Sequence, residues 1–328
     1  MQTSYIYSAS RLNTLANFLL SKTDIERLMV ASPGVELQSA LKETYLAPYI
    51  LKATEDTITS AIEQTLIEAK QLIQRIAPKG NMFWVLWVQY DIHNLRVFVK
   101  AQTKGLSFEE CSAFTSNRGT YDPAVLYEYA QKGELNRLRA EWQEAFDTAV
   151  RLATAGELDK VDGVLDQAFF FAVKRIADAE SDPFLKKHVR ALIDMYNLKS
   201  RLRAVTYPQV NFTPVFITGG TFAQSEIDSK EQVFAALHKL GGPDFWRTAI
   251  EYYQETANTT RVDARADEYL LMLAKQSSFD MFSSASLVLY YLQCRQSAAN
   301  VRTIVVGKNS GGKDEDIRAN LRMAYVNE

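Results

Sequence analysis

Gly307, Gly312 and Lys313 have the spacing that comes closest to a known chemical motif. They form a Gly-x-x-x-x-Gly-Lys pattern that follows the β-branched run TIVV and precedes a predicted helix. This is the context of a phosphate-binding loop, in which backbone amides and a lysine hold nucleotide phosphates. Asp314 occupies the position of the Mg²⁺-binding Ser or Thr, however, and only 15 residues follow Lys313. The sequence therefore makes nucleotide binding by residues 307–313 the least favoured of three alternatives.

A second set of polar residues recurs at a fixed interval of 103 residues. The repeated positions are an acid or its replacement (Asp91, Asp194, Ser297), an amide (Asn94, Asn197, Asn300) and a base (Arg96, Lys199, Arg302). On a helix, an Asp and the Asn three residues later share one face. The flanking residues are apolar, so this face should be buried and its polar groups should need partners.

A buried clamp that locks each helix against its neighbours is the favoured interpretation of these repeated residues. Catalysis is disfavoured because the third copy has Ser297 in place of the acid. In addition, no nucleophile or histidine recurs with the repeat, so no acid–base pair can be assembled from it.

The composition excludes several other classes of protein. The 328 residues are 47% hydrophobic. They carry 37 basic and 39 acidic side chains, and this balance of charge argues against a protein that binds nucleic acid through a general basic surface. Two cysteines and three widely spaced histidines give neither a disulfide framework nor a metal site. We find no signal peptide and no run of about 18 apolar residues. The sequence predicts a soluble cytoplasmic protein without metal or cofactor.

Hydrophobic periodicity predicts helices through most of the chain. The predicted helices are 4–20, 23–31, 35–51, 55–76, 81–102, 108–114, 123–132, 134–154, 157–178, one opening at Asp182-Pro183, 230–239, 243–257, 262–276, 284–306 and 313–326. A short strand is considered at Val215–Thr218, inside the longest non-helical stretch. The aromatic runs at 83–87 and 169–171 are predicted to pack in the core.

The repeat extends beyond the polar positions and predicts the architecture. Residues 61–73 match 164–176, and NRGTYDPAVL at 117–126 matches TGGTFAQSEI at 218–227. Each unit contains a long helix, the helix that carries the polar positions, a small loop and shorter helices. The fold class predicted is all-α, with three similar helical modules in tandem. The module boundaries predicted are 1–115, with its own N-terminal helix, 116–218 and 219–328.

These residues resemble the socket subunit of rotary V/A-type ATPases and ATP synthases, which is called the C subunit in bacteria and archaea and the d subunit in eukaryotes. The resemblance covers nearly the whole chain. It is carried by Tyr7-Ser-Ala-Ser-Arg11 with Leu15, Leu19 and Leu20, by the two Asp-x-x-Asn elements, and by Asn300-Val-Arg302 with Gly307-Lys308. One position departs from the family, which usually has a Glu where this chain has Ser297.

The resemblance implies a funnel of three helical bundles around a pseudo-threefold axis. It implies that the wide end of the funnel receives the central shaft, and that this shaft consists of D- and F-type subunits. It also implies that the base of the funnel sits on the membrane ring of proteolipid subunits. Such a subunit is not an enzyme: it transmits torque for ATP-linked proton or sodium transport. It would sit on the cytoplasmic face of the membrane through the complex, without a membrane span of its own. The second alternative is an all-α repeat scaffold or adaptor unrelated to rotary motors.

The loops that interrupt the helices at equivalent places are candidates for docking the shaft or the ring. They lie at 116–121 and 217–222, and they are joined by part of 307–313. The candidate docking residues are Arg118, Gly119, Tyr121, Gly219, Gly220, Phe222, Lys308 and Lys313.

Overall fold

The computed structural model describes residues 5–50, 58–78, 81–134, 140–209 and 214–322. These residues form α-helices, short 3₁₀ turns and connecting loops, and no β-strand occurs among them. The predicted all-α fold class is therefore confirmed. The helices are α1 (Ile6–Ala16), α2 (Lys22–Val30), α3 (Val35–Leu41), α4 (Ala47–Ile50), α5 (Ile58–Ile76), α6 (Trp84–Lys104), α7 (Phe108–Cys111), α8 (Pro123–Lys132), α9 (Ala140–Thr154), α10 (Leu158–Ala179), α11 (Pro183–Thr206), α12 (Lys230–Gly241), α13 (Pro243–Thr256), α14 (Thr260–Ser277), α15 (Ala285–Asn309) and α16 (Asp314–Ala319).

Several predicted bounds differ from the structure. The strand at 215–218 is wrong, because the backbone of Ile217 bonds to the side chain of Asn197 instead of to another strand. The predicted helix 35–51 is two short helices, with a turn at 42–46. The last helix ends at Ala319 rather than at 326. Residues 323–326 of that prediction, and 135–139 of the predicted helix 134–154, lie outside the described residues.

Helix starts and stops follow local chemistry. Asp122 and Asp182 each precede a proline, and their carboxylates accept hydrogen bonds from backbone amides of the first helical turn. The predicted opening of a helix at Asp182-Pro183 is confirmed. Gly105 and Gly133 end α6 and α8 with left-handed backbone conformations, which cost glycine little.

The described fold contains two compact units. One comprises Met1–Gly80 together with Ala264–Glu328, and the other comprises Asn81–Asp263. We refer to them as unit 1 and unit 2. No helix among the described residues is both long enough and apolar enough to cross a membrane.

Unit 2 is built around α6. This helix packs against α7, α8, α9 and α10, and twelve of its residues are buried. Its start carries Trp87, which is fully buried, and the other aromatic residues of the 83–87 run are largely inside as well. The 169–171 run behaves differently, since Phe170 is buried but Phe171 is 59% exposed. The prediction that this run packs in the core is therefore wrong for Phe171.

Unit 1 is built around α15. This helix packs against α1, α2, α5 and α16, and fifteen of its 25 residues are buried. A helix buried on most of its faces needs apolar residues all round instead of one stripe, which is the pattern here. The chain segments from the two sequence ranges are joined by specific bonds. The backbone amide of Tyr5 donates to the carbonyl of Met281 at 2.8 Å, and Arg318 forms two 2.7 Å bonds with Glu26.

Candidate functional site

The first repeated pair, Asp91 and Asn94, is fully buried on α6. Asn94 makes a two-way bridge to the backbone of Ser116: its amide nitrogen donates to the carbonyl at 3.0 Å, and its oxygen accepts from the backbone amide at 2.8 Å. Asp91 accepts from the backbone amide of Thr120 at 2.9 Å, from its hydroxyl at 2.7 Å, and from the amide of Tyr121 at 3.2 Å. We call this pair the first clamp.

The second clamp, Asp194 and Asn197 on α11, repeats the same geometry. Asn197 bridges both backbone groups of Ile217, at 2.8 and 2.9 Å. Asp194 accepts from the backbone amide of Thr221 at 2.6 Å and from its hydroxyl at 2.7 Å. Both clamps therefore hold a loop that lies 20 to 30 residues further along the chain. The sequence predicted contacts with neighbouring helices instead.

The third copy keeps half of the clamp. Asn300 on α15 bridges both backbone groups of Arg322 at 2.8 Å, at the same separation of 22 residues as Asn94 and Ser116. Ser297 is fully buried in place of the acid. Gly119-Thr120 and Gly220-Thr221 lie three and four residues after the first two bridged residues, whereas the same positions after Arg322 are Tyr325 and Val326. The third copy therefore lacks both the acid and the Gly-Thr pair that the acid binds in the other two copies.

Glycine is required beside each acid because of space. A Cβ added at Gly119 would overlap the carboxylate of Asp91, and one added at Gly220 would overlap the carboxylate of Asp194. Neither glycine has a positive φ, so a left-handed backbone is not the reason. Sequence reasoning matched these Gly-Thr-aromatic segments but missed their partners. Thr120 follows Asp91 by 29 residues and Thr221 follows Asp194 by 27. This similar spacing is the signal that could have found the two threonines.

The repeated basic residues form ion pairs in the first two copies. Arg96 pairs with Asp166, and with Asp162 at 3.1 Å, both on α10. The hydroxyl of Tyr196 donates to Asp166 at 2.8 Å, so the network joins α6, α10 and α11. In the second copy, Lys199 lies 3.7 Å from Asp263. Arg302, the third member, is exposed.

The predicted docking residues divide into inward and outward groups. Arg118 stacks over the ring of Tyr90 and bonds to its hydroxyl at 2.9 Å. Gly119 and Phe222 are buried, and Lys308 is nearly so, with its ammonium 3.6 Å from Asp314. Tyr121 packs edge-on against a buried tryptophan, and Gly220 is half-buried. Gly219 and Lys313 are exposed. A docking role for these loops stays a prediction, and the inward contacts leave few of the eight residues to serve it.

The phosphate-loop pattern lacks the required local structure. Residues 303–309 belong to α15, so Gly307 is helical and is not preceded by a strand. A Cβ at Gly307 would lie 2.6 Å from Ile317, which explains this glycine by the close packing of α16. The described residues also contain no group of three or more His, Cys, Asp or Glu that could hold a metal ion.

Burial raises the pKa of Asp194, and hydrogen bonds from Thr221 and Phe222 oppose the rise. Burial likewise raises the pKa of Asp166, against the opposing charge of Arg96. An acid with a raised folded-state pKa binds more protons in the folded protein than in the unfolded chain. Its contribution to stability is therefore complete at low pH and is lost as the pH rises through the folded-state value.

The raised pKa of Asp194 predicts how the stability contribution of this residue changes with pH. We expect the free energy of unfolding of the wild type, minus that of Asp194→Asn, to fall as the pH rises from the ordinary carboxyl pKa to the raised one. Urea unfolding followed by circular dichroism between pH 4 and pH 7 measures it, and the difference cancels other titrating groups. A difference that increases with pH would contradict the direction of the shift.

The fold and the clamps together define a class: a repeated helical scaffold whose polar residues hold its own loops. A model of the family "ATP synthase (C/AC39) subunit" matches residues 9–320, and this chain belongs to that family. It is similar to the C subunit of the V-type sodium ATPase of Enterococcus hirae, with 19% identity over 317 residues that cover 94% of each chain. It is also similar to the C subunit of the A-type ATP synthase of Methanocaldococcus jannaschii, with 20% identity covering 97% of this chain and 86% of that one.

Proposed function

We propose that this chain is a non-catalytic coupling subunit of a rotary V/A-type ATPase or ATP synthase. It connects the central shaft to the membrane ring of proteolipid subunits and transmits torque for ATP-linked proton or sodium transport. The observation that carries the proposal is the family match over residues 9–320, nearly the whole chain. The similarities to the C subunits of a V-type and an A-type enzyme support it.

The clamps supply the stiffness that a torque coupler needs. Protein interiors are close-packed, and a loop held by buried polar bridges moves only if those bridges break. Each described clamp ties a loop to the middle of a long helix with at least two hydrogen bonds. A force on such a loop is therefore transmitted to the helix that holds it, because the loop cannot move independently of that helix.

The order of helix contacts supports three related modules, for which we propose the boundaries 1–115, 116–218 and 219–328. The helix α6 packs against α10, the long helix of the next copy. Lys199 and Arg203 of α11 pair with Asp263 at the start of α14. The helix α15 packs against α5, the long helix of the first copy. Each clamp-bearing helix thus contacts the copy that follows it, and the third copy contacts the first.

The proposed partners are D- and F-type shaft subunits on one side and the proteolipid ring on the other. In this proposal the chain lies on the cytoplasmic face of the membrane and is held there by the complex. The exposed parts of the loops at 116–121, 217–222 and 307–313 would contribute to docking, Gly219 and Lys313 foremost.

An all-α adaptor unrelated to rotary motors is the competing function, and one experiment separates the two. The tagged full-length chain is purified from detergent-solubilised membranes of its own cell, and co-purifying proteins are identified by mass spectrometry. We expect shaft subunits and proteolipids in amounts comparable to the bait. Recovery of neither class, with the bait folded by circular dichroism, would contradict the coupling role and favour an adaptor.

A further inference from the structure

Unit 1 contains an open cleft of about 660 Å³ bordered by α1, α5 and α15. One side of it is the N-terminal motif already singled out in the sequence: Arg11, Leu15 and Leu19 follow one another at helical spacing. The opposite side is α5, from Thr65 to Arg75. The volume lies within the range of about 300–1,000 Å³ that is typical of binding pockets.

Two positive charges of this cleft have no acidic partner in the part of the chain that the structure describes. Arg11 donates only to the hydroxyl of Tyr7, at 2.9 Å, and Arg75 forms no ion pair with a described residue. The one carboxylate in the lining, Glu68, accepts instead from the hydroxyl of Tyr49 and, at 3.1 Å, from the amide of Gln64. The cleft therefore offers two guanidinium groups whose donors are available to an outside acceptor.

The remaining lining mixes apolar side chains with polar ones such as Thr65 and Gln71. Leu15, Leu19 and Leu72 face the cleft, and Phe18 lines it while remaining 69% exposed. Apolar side chains beside guanidinium groups that no described carboxylate neutralises favour an occupant that combines acidic and apolar groups.

A second cleft lies at an equivalent place in the repeat, and its lining residues differ from those of the first cleft. Unit 2 has a cleft of about 650 Å³ beside α10. Three α5 positions that line the first cleft recur on α10 after 103 residues, as Thr65 with Ala168, Glu68 with Phe171 and Gln71 with Lys174. Around these positions the second cleft is lined by Phe170, Phe216 and Ile217. Both copies therefore contain a cleft of similar volume, but arginines line only the cleft in unit 1.

We propose that the unit 1 cleft docks an acidic-apolar segment of a shaft subunit, with carboxylates on Arg11 and Arg75 and an apolar side chain against Leu15, Leu19 and Leu72. This inference rests on the proposed coupling function and names one of its contact sites. A protein segment is favoured over a membrane because a concave cleft cannot be reached by a flat lipid surface. It is favoured over an inorganic anion because such an ion leaves the apolar side uncovered.

The test compares Arg75→Glu with Lys22→Glu, which makes the same charge change at an exposed residue of unit 1 outside the cleft. The full chain is immobilised and titrated with purified shaft subunits of its own complex. We expect Arg75→Glu to weaken capture by about tenfold or more, since it removes a charge-assisted hydrogen bond and adds repulsion. Lys22→Glu should bind as the wild type does. Arg75→Gln is a milder second variant in case the reversal impairs folding, which thermal melting reports.

Three outcomes would overturn the inference. Equal shaft binding by wild type and both Arg75 variants would exclude the cleft as a contact. Loss of binding only to phosphatidylglycerol-containing vesicles or to inorganic phosphate, with shaft binding kept, would assign the arginines to a different anion. A wild-type chain that captures neither shaft nor ring would contradict the coupling function itself, whereas capture that is merely insensitive to Arg75 would leave that function standing.

Discussion

Asp91→Ala is expected to lower the free energy of unfolding by about 3 kcal/mol, or roughly 1 kcal/mol for each of three donors that lose their acceptor. The donors are the backbone amides of Thr120 and Tyr121 and the hydroxyl of Thr120. Asp91 is fully buried, so water does not replace the lost carboxylate without opening the packing. Urea unfolding of the full chain, followed by circular dichroism, measures the change.

Asp178→Ala is the matched control for this variant. Asp178 is also a helical aspartate of unit 2, but its side chain is 56% exposed, and its one ion pair with a described residue is to Lys174 on the same helix. Such surface pairs contribute about 0–1 kcal/mol, so little change is expected. If Asp91→Ala were as stable as Asp178→Ala, the loop would be held by other contacts. The acid would then become a candidate for binding a partner.

Gly119→Ala is expected to cost about 2–3 kcal/mol, because the added methyl group would occupy the space of the Asp91 carboxylate. Either the carboxylate moves and loses its bonds to the loop, or the loop moves away and breaks the bridge between Asn94 and Ser116. The same urea unfolding experiment measures this cost. A neutral substitution would show that the loop can shift without loss.

A double variant tests the mechanism of this cost. If the methyl group acts by displacing Asp91, then Gly119→Ala should add less than about 0.5 kcal/mol in the Asp91→Ala background. Independent effects would instead add fully. The equivalent pair, Gly220→Ala with Asp194→Ala, should behave in the same way, since Gly220 faces Asp194 as Gly119 faces Asp91.

The helices could be predicted from the sequence because their apolar spacing and their caps are local signals. The cap at Asp182-Pro183 and the stop at Gly105 are examples. The repeat also located the buried polar positions. Their partners were not predictable by the same means, since Asn94 and Ser116 meet only when the intervening turn folds back. Residues 215–218 looked like a strand because β-branched and aromatic residues favour one, but no second strand pairs with them in the described fold.

The docking residues were the least predictable part of the site. Glycines and aromatics in a loop indicate either exposure for binding or close packing, and the sequence alone does not separate these cases. Gly119 and Phe222 proved to be buried. The cleft with Arg11 and Arg75 was not predicted either, because its sides come from segments that are more than 50 residues apart. An N-terminal motif with a basic residue at a helical interval from leucines was the only signal.

The discontinuity of unit 1 has a consequence for how the protein is made. Its N-terminal helices α1 and α5 end at residues 16 and 76, but α15, which packs against both, begins only at residue 285. Unit 2 is continuous in sequence and can therefore fold while translation proceeds. The apolar faces of the early helices therefore stay exposed to solvent until α15 has been synthesised. We expect chaperones to bind these faces during that interval. A nascent chain arrested before residue 285 would lack α15 and could therefore not complete unit 1.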